Sequence, residues 1–241
     1  MEIIRCRDEI EAENKAGEAL AGLLREKKQT QSPVLLLLSG GSAFDVLRVI
    51  DRSLLGEHVT ISMLDERYSD DPSVSNFAQL FGKPFFAEAL ASGANYIDTR
   101  PENNESPQKL ASRIENKLKD CVRDTKFKKR SIYATMGIGE DGHTAGIMPF
   151  PENPDLFGQL FEQELTWVIA YDAGDKTPYP SRITVTLPFL RSHVDYAFAY
   201  VVGEQKKKAL RDVDVAEGSL AKTPARILRE MKNVQIFTDI S

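Results

Sequence analysis

The stretch Met136–Phe150, MGIGEDGHTAGIMPF, sets a histidine and a carboxylate between glycines in a chain of 241 residues. Histidine, with an ordinary pKa of about 6.5, takes a proton readily near neutral pH, and a neighbouring carboxylate can orient its ring. His143 and Asp141 are therefore a candidate general base and its partner; the alternative is a loop histidine hydrogen-bonded to backbone. Gly137, Gly139 and Gly142 also fit the G-x-G-x-x-G pattern of a dinucleotide loop. That reading needs a crossover helix opening at the third glycine, with the pyrophosphate on its N-terminus. Pro149, Pro151 and Pro154 interrupt any helix there beyond about two turns, and the next apolar strand, near Thr166–Tyr171, is too distant for a tight βαβ unit. The pattern predicts a glycine-rich turn that a ligand can approach closely, with no dinucleotide and no other cofactor.

Two further stretches could hold an anion. In SGGSAF, Gly40, Gly41 and Ser42 stand between an aliphatic run and a helical pattern, so backbone N–H groups and a hydroxyl converge where a phosphate would fit. The competing reading is a tight βα turn with Ser42 as N-cap. In LDERYSDD, Arg67 could clamp an anion and Asp65 could orient a sugar hydroxyl or a catalytic group, with Glu66 between them; otherwise the cluster is a solvated, salt-bridged loop, too charged for a buried strand. Arg182 and Lys206 are cations beside expected strand ends and read, in isolation, as surface cations. His58 and His193 lack a glycine and carboxylate setting and read as structural. KFKKR, Lys126–Arg130, reads as a solvated helix end.

These groups need a scaffold. Asp8 with Glu11 forms a capping-box pattern ahead of an amphipathic helix over residues 8–28. PVLLLLSGGS and AFDVLRVIDRSLL then read as strand, glycine turn and helix. VTISMLDER, SIYATMGIG, LTWVIAYD, RITVTL, YAFAYVVG and NVQIFTD read as further strands, and residues 105–124 and 203–217 are the clearest later helices. This alternation predicts an α/β fold, a Rossmann-like doubly wound, mostly parallel sheet with helices on both faces and a ligand edge beyond its strand ends. Residues 65–76, 98–107 and 146–180 are the least regular.

Composition narrows the classes. The net charge of −5 and pI near 5.4 provide no basic field for nucleic acid or an anionic membrane. The longest aliphatic run, Val34–Leu38, is far short of a span, and the acidic N-terminus lacks a signal-peptide core, so a cytoplasmic setting is expected. Cys6 and Cys121 are too few for a disulfide framework and read as reduced thiols. No G-x-S-x-G elbow, no phosphate loop ending in G-K-[ST] and no paired-ligand spacing for a transition metal occurs, so no metal is expected. With no linker or repeat, residues 1–241 are expected to form one domain, a monomer or weak homo-oligomer.

Taken in order, LLLLSGGS, LDER with SNF ten residues on, MGIGEDGHTAGIMP, RITVTLPFL and VVGEQKKKAL resemble the 6-phosphogluconolactonase branch of the family shared with glucosamine-6-phosphate deaminase. The resemblance runs through nearly the whole chain, and G-x-D-G-H-T-A is its most specific part. It implies a fold without bound dinucleotide that acts on a six-carbon sugar phosphate: hydrolysis of 6-phospho-D-glucono-1,5-lactone in the pentose phosphate pathway. It also implies His143 as general base, Asp141 as its orienting neighbour, Gly40, Gly41 and Ser42 as phosphate cradle, Arg67 facing the substrate anion, and Arg182 and Lys206 as phosphate-site cations. Asp65 and Glu66 complete the D-E-R motif. The chain departs from the family at Ala43-Phe44, where Thr-Pro is common, and at Tyr68–Val74, where a Trp-Val-Pro segment is usual. Deaminases of the family carry a glutamate five residues after the histidine; here that residue is Met148. The alternatives are a deaminase or isomerase acting on an amino-sugar phosphate, and a non-catalytic sugar-phosphate sensor.

Overall fold

The computed structural model describes residues 1–69, 71–123 and 130–241. Asp8 caps the first helix, α1 (Glu9–Thr30), by accepting the Glu11 N–H at 2.8 Å. The reciprocal bond of the capping box is displaced by one residue, because the Glu11 carboxylate accepts the N–H of Arg7 at 2.7 Å. Asp8→Ala is expected to cost about 1 kcal/mol of unfolding free energy, read as a lower urea midpoint at unchanged slope. The helix buries Ala12, Ala16, Leu20 and Leu24 at helical spacing.

Seven parallel strands form the main sheet. They are β1 (Glu2–Arg5), β2 (Val34–Leu38), β3 (Val59–Met63), β5 (Asn95–Tyr96), β6 (Ser131–Gly137), β9 (Tyr196–Tyr200) and β10 (Val234–Thr238), in the order β1-β10-β9-β6-β2-β3-β5. Every residue of β2 is buried, as a strand covered on both faces requires. Val34, Leu36 and Leu38 pack with α1, α2 (Asn76–Phe81) and α3 (Pro84–Ala91), while Leu35 and Leu37 enter a second core with α4 (Pro107–Arg123). The chain winds outward from β2 in one direction and from β6 in the other, so the carboxyl ends of β2 and β6 lie at a switch point.

Four expectations change. LTWVIAYD and RITVTL do not join the parallel sheet: β7 (Val168–Asp172) and β8 (Ser181–Val185) pair antiparallel with β4 (Asp65–Arg67) in a separate three-stranded sheet, which packs into the second core. Their hydrophobic pattern marks burial and cannot distinguish the two sheets. The element after SGGS is a 3₁₀ helix over Gly41–Val49 with a second short turn at Arg52–Leu54, and its N-cap is Gly40 with no side-chain bond, so Ser42 is no cap. Asp65 and Glu66 are buried in β4, where specific partners make their charge tolerable. The helix expected at 203–217 is a 3₁₀ turn at Glu204–Lys206 leading into α7 (Lys207–Asp214); among the described residues α5 (Pro154–Phe161) and α6 (Leu187–His193) complete the α-helices. Of KFKKR, residues 126–129 lie outside the described residues; Arg130 is half-buried and donates to the Cys121 and Val34 carbonyls and to Thr60. No described helix is long and apolar enough to cross a membrane.

Candidate active site

Three neighbouring strands of the main sheet end at one cavity. β2 delivers Gly40–Ser42, β6 delivers Gly139–His143, and β9 leads to Lys206. The small sheet supplies Asp65, Arg67 and Arg182 from β4 and β8. The cavity measures about 560 Å³, ample for a phosphorylated hexose derivative. Of the ten residues picked out for the site from the sequence, nine line it and Glu66 does not.

His143 Nδ1 lies 2.6 Å from Asp141 Oδ1, which also accepts the His143 backbone N–H at 3.1 Å. The turn closes through Gly139 N–H to His143 O at 2.9 Å and Gly142 N–H to Gly139 O at 3.0 Å. A Cβ on Gly139 would stand 2.1 Å from His143 Nδ1, so glycine there is a condition of the histidine's placement. Burial works to raise the Asp141 pKa, but the hydrogen bond and charge of His143 outweigh it and hold the carboxyl below the ordinary range.

Arg67 and Arg182 stand directly opposite each other across β4 and β8. Like charges at such a position repel, so this register concentrates positive potential on one wall of the cavity. Arg182, 6% exposed, donates to Tyr179 O at 3.2 Å and Thr177 Oγ1 at 2.9 Å, and its Nη1 lies 3.9 Å from Asp65 Oδ2. The Arg67 guanidinium carbon is 5.5 Å from the centre of the Tyr179 ring, and Arg67 Nε is buried with no hydrogen-bond partner among the described residues. Burial pushes the Asp65 carboxyl up, opposed by Arg182, Arg67 and His143. Burial also lowers the Lys206 ammonium pKa, with Glu140, Glu9 and Asp239 working against it.

Glu66 serves the frame. Its carboxylate accepts from the N–H groups of Arg67, Asn76 and Phe77 and from the hydroxyls of Ser75 and Thr99, tying β4 to the start of α2. Burial nevertheless raises its pKa. Asn76, which it positions, donates to Asp65 O and Oδ2, both at 3.1 Å. Among the described residues no group of three or more His, Cys, Asp or Glu side chains could hold a metal ion.

Sequence reasoning missed Asn76, Lys176, Thr177 and Tyr179 on the cavity wall. Asn76 lies in the SNF motif, and the other three fall in the irregular 146–180 stretch, but only the β7–β8 pairing brings that stretch to the site.

Residues 7–237 match the sequence profile of the glucosamine-6-phosphate isomerases/6-phosphogluconolactonase family. The chain belongs to that family. It is 24% identical over 231 residues to a probable 6-phosphogluconolactonase of Dictyostelium discoideum, covering 95% of this chain and 86% of that one. It is 25% identical over 203 residues to a 6-phosphogluconolactonase of Nostoc, covering 83% and 79%. The fold matches the crystal structure of a 6-phosphogluconolactonase from Shewanella baltica with a TM-score of 0.75 at 19% identity, over 99% of this chain and 96% of that one. A monomeric glucosamine-6-phosphate deaminase matches with a TM-score of 0.71 at 20% identity, over 99% and 97%. Both chemistries thus occur on this fold, and the side chains must choose between them.

Proposed function

We propose that the protein is a 6-phosphogluconolactonase, hydrolysing 6-phospho-D-glucono-1,5-lactone to 6-phosphogluconate. The observation that carries this reading is the 2.6 Å contact between His143 Nδ1 and Asp141 at the rim of a cavity walled by cations. With Nδ1–H donating to the carboxylate, Nε2 of the neutral ring keeps its lone pair and serves as general base. The phosphate is taken by Lys206 and the N–H groups at the start of the 3₁₀ helix, Gly40–Ser42, which have no partners within the helix. Arg67 and Arg182 add positive charge to the same cavity.

In the first step His143 Nε2 takes a proton from water as the water oxygen bonds to C1, and the carbonyl π pair moves onto the carbonyl oxygen. In the second that pair returns, the bond from C1 to the ring oxygen breaks, and the ring oxygen leaves with the proton held by His143. The carboxylic acid formed then gives its proton to solvent. Met148 supports this reaction over deamination. It lines the cavity where the resemblance sets a deaminase glutamate, and a thioether exchanges no proton. The acidic charge balance and the small-molecule substrate support a cytoplasmic setting.

The test is lactone hydrolysis coupled to 6-phosphogluconate dehydrogenase, run beside ammonia release from glucosamine 6-phosphate. Lactone turnover above the spontaneous rate with no ammonia is expected. Ammonia release without lactone turnover would make it a deaminase, and tight phosphosugar binding with neither would make it a sensor.

A further inference from the structure

Hydrolysis as proposed requires a donor for the negative charge that grows on the carbonyl oxygen when water adds. The turn after His143 presents one. Ala145 and Gly146 have φ of +47° and +70°, and the Ile147 N–H donates to Thr144 O at 2.8 Å, so residues 144–147 make a turn with two consecutive left-handed positions. An alanine there is conformationally unfavourable and persists only where its surroundings hold it. Hydroxyls do the holding. Thr184 of β8 donates to Ala145 O, Tyr171 of β7 donates to Gly146 O and accepts the Met148 N–H at 3.2 Å, and Thr144 donates to Gly137 O at 2.7 Å.

Those bonds turn the Ala145 and Gly146 carbonyls toward the small sheet. In a trans peptide the N–H points opposite the C=O, so the Gly146 N–H, sharing a peptide unit with the Ala145 carbonyl, faces away from Thr184. Ala145 and Gly146 both line the cavity, and among the described residues the Gly146 N–H donates to no acceptor. The position admits no side chain, since a Cβ on Gly146 would lie 2.6 Å from Asp65 Cβ. The adjacent Asp65 carboxyl is engaged by Asn76 Nδ2 at 3.1 Å and faces Arg182.

We propose that the peptide N–H of Gly146 is the oxyanion donor of the lactonase reaction and that Thr184, through the Ala145 carbonyl, aims it. The inference rests on the functional reading above. His143 lies three residues earlier, at the end of the preceding Gly139–His143 turn, so one short segment carries both the base that removes the water proton and the donor that receives the carbonyl electron pair.

The decisive variant replaces Gly146 by glycolic acid through nonsense suppression, exchanging one N–H for an ester oxygen. It is expected to lower kcat by about 10²–10³-fold and to leave KM within about threefold. A kcat within about threefold of the unaltered protein overturns the donor. Thr184→Val tests the aim: kcat falls about tenfold or more at unchanged KM and unchanged 6-phosphogluconate affinity, and Thr184→Ser restores it. Unaltered kcat in Thr184→Val, or equal loss in the valine and serine variants, overturns the role of Thr184. An unaltered protein that hydrolyses no lactone overturns the functional reading instead, so the two failures are distinct.

Discussion

Exchanging His143 for alanine is expected to lower kcat for lactone hydrolysis by about 10²–10⁴-fold while KM stays within about threefold. The split follows from where the residue stands. His143 is anchored to its own turn, through Asp141 and Gly139, and the cations expected to hold the phosphate come from other elements. Removing the ring therefore removes proton transfer in the transition state and leaves the grip on the ground state. Asp141→Asn is the sharper companion: it keeps the shape but replaces an acceptor-only carboxylate with an amide that can also donate, so the tautomer with Nε2 free is no longer enforced. Its kcat should fall with KM unchanged, by less than in His143→Ala. Near-normal turnover in His143→Ala, measured in the coupled assay, would remove the histidine from the reaction.

The legibility of this site follows the chemistry of its parts. The His143 turn was readable because glycine, carboxylate and histidine lie within five residues, and prolines close behind exclude the crossover helix a dinucleotide requires. The Gly40–Ser42 cradle was readable as a strand followed by glycines, although the segment winds as a 3₁₀ helix, a choice that periodicity over so short a stretch does not register. The small antiparallel sheet was not readable. β4 follows β3 after a single residue, so VTISMLDER looks like one strand, and its partner β8 lies more than a hundred residues on. For the same reason Glu66 looked like part of a charged loop. Its five donors come from β4, the start of α2 and Thr99, and only the fold assembles them. Tyr179 and Lys176 carry no local signal at all and reach the cavity through the β7–β8 connection.

Arg182 is where stability and function meet, and Arg182→Met is expected to reduce both. The side chain is almost fully buried and joins three things: the loop at Thr177 and Tyr179, the Asp65 carboxyl, and the cavity wall. Breaking a buried ion pair by removing one partner costs about 3–5 kcal/mol, because the remaining charge is left without compensation. The 3.9 Å separation and the Asn76 hydrogen bond to Asp65 place this case near the lower end. Burial already holds the Asp65 pKa above its ordinary value with the arginine present; without it the carboxyl is raised further. The sign follows. A carboxyl whose folded pKa exceeds its unfolded value, about 3.9, binds a proton more readily in the folded protein, so stability falls as pH rises from that value through the folded pKa. Urea unfolding should therefore show the variant's deficit relative to the unaltered protein growing from pH 4 toward neutrality. Adding Asp65→Asn removes the stranded charge and should recover part of the stability at pH 7 in a double-mutant cycle. It should not recover the raised KM for the lactone, because the positive wall formed by Arg67 and Arg182 is halved in both variants. A deficit that does not change with pH, or a double variant no more stable than Arg182→Met, would show that Asp65 and Arg182 are not coupled.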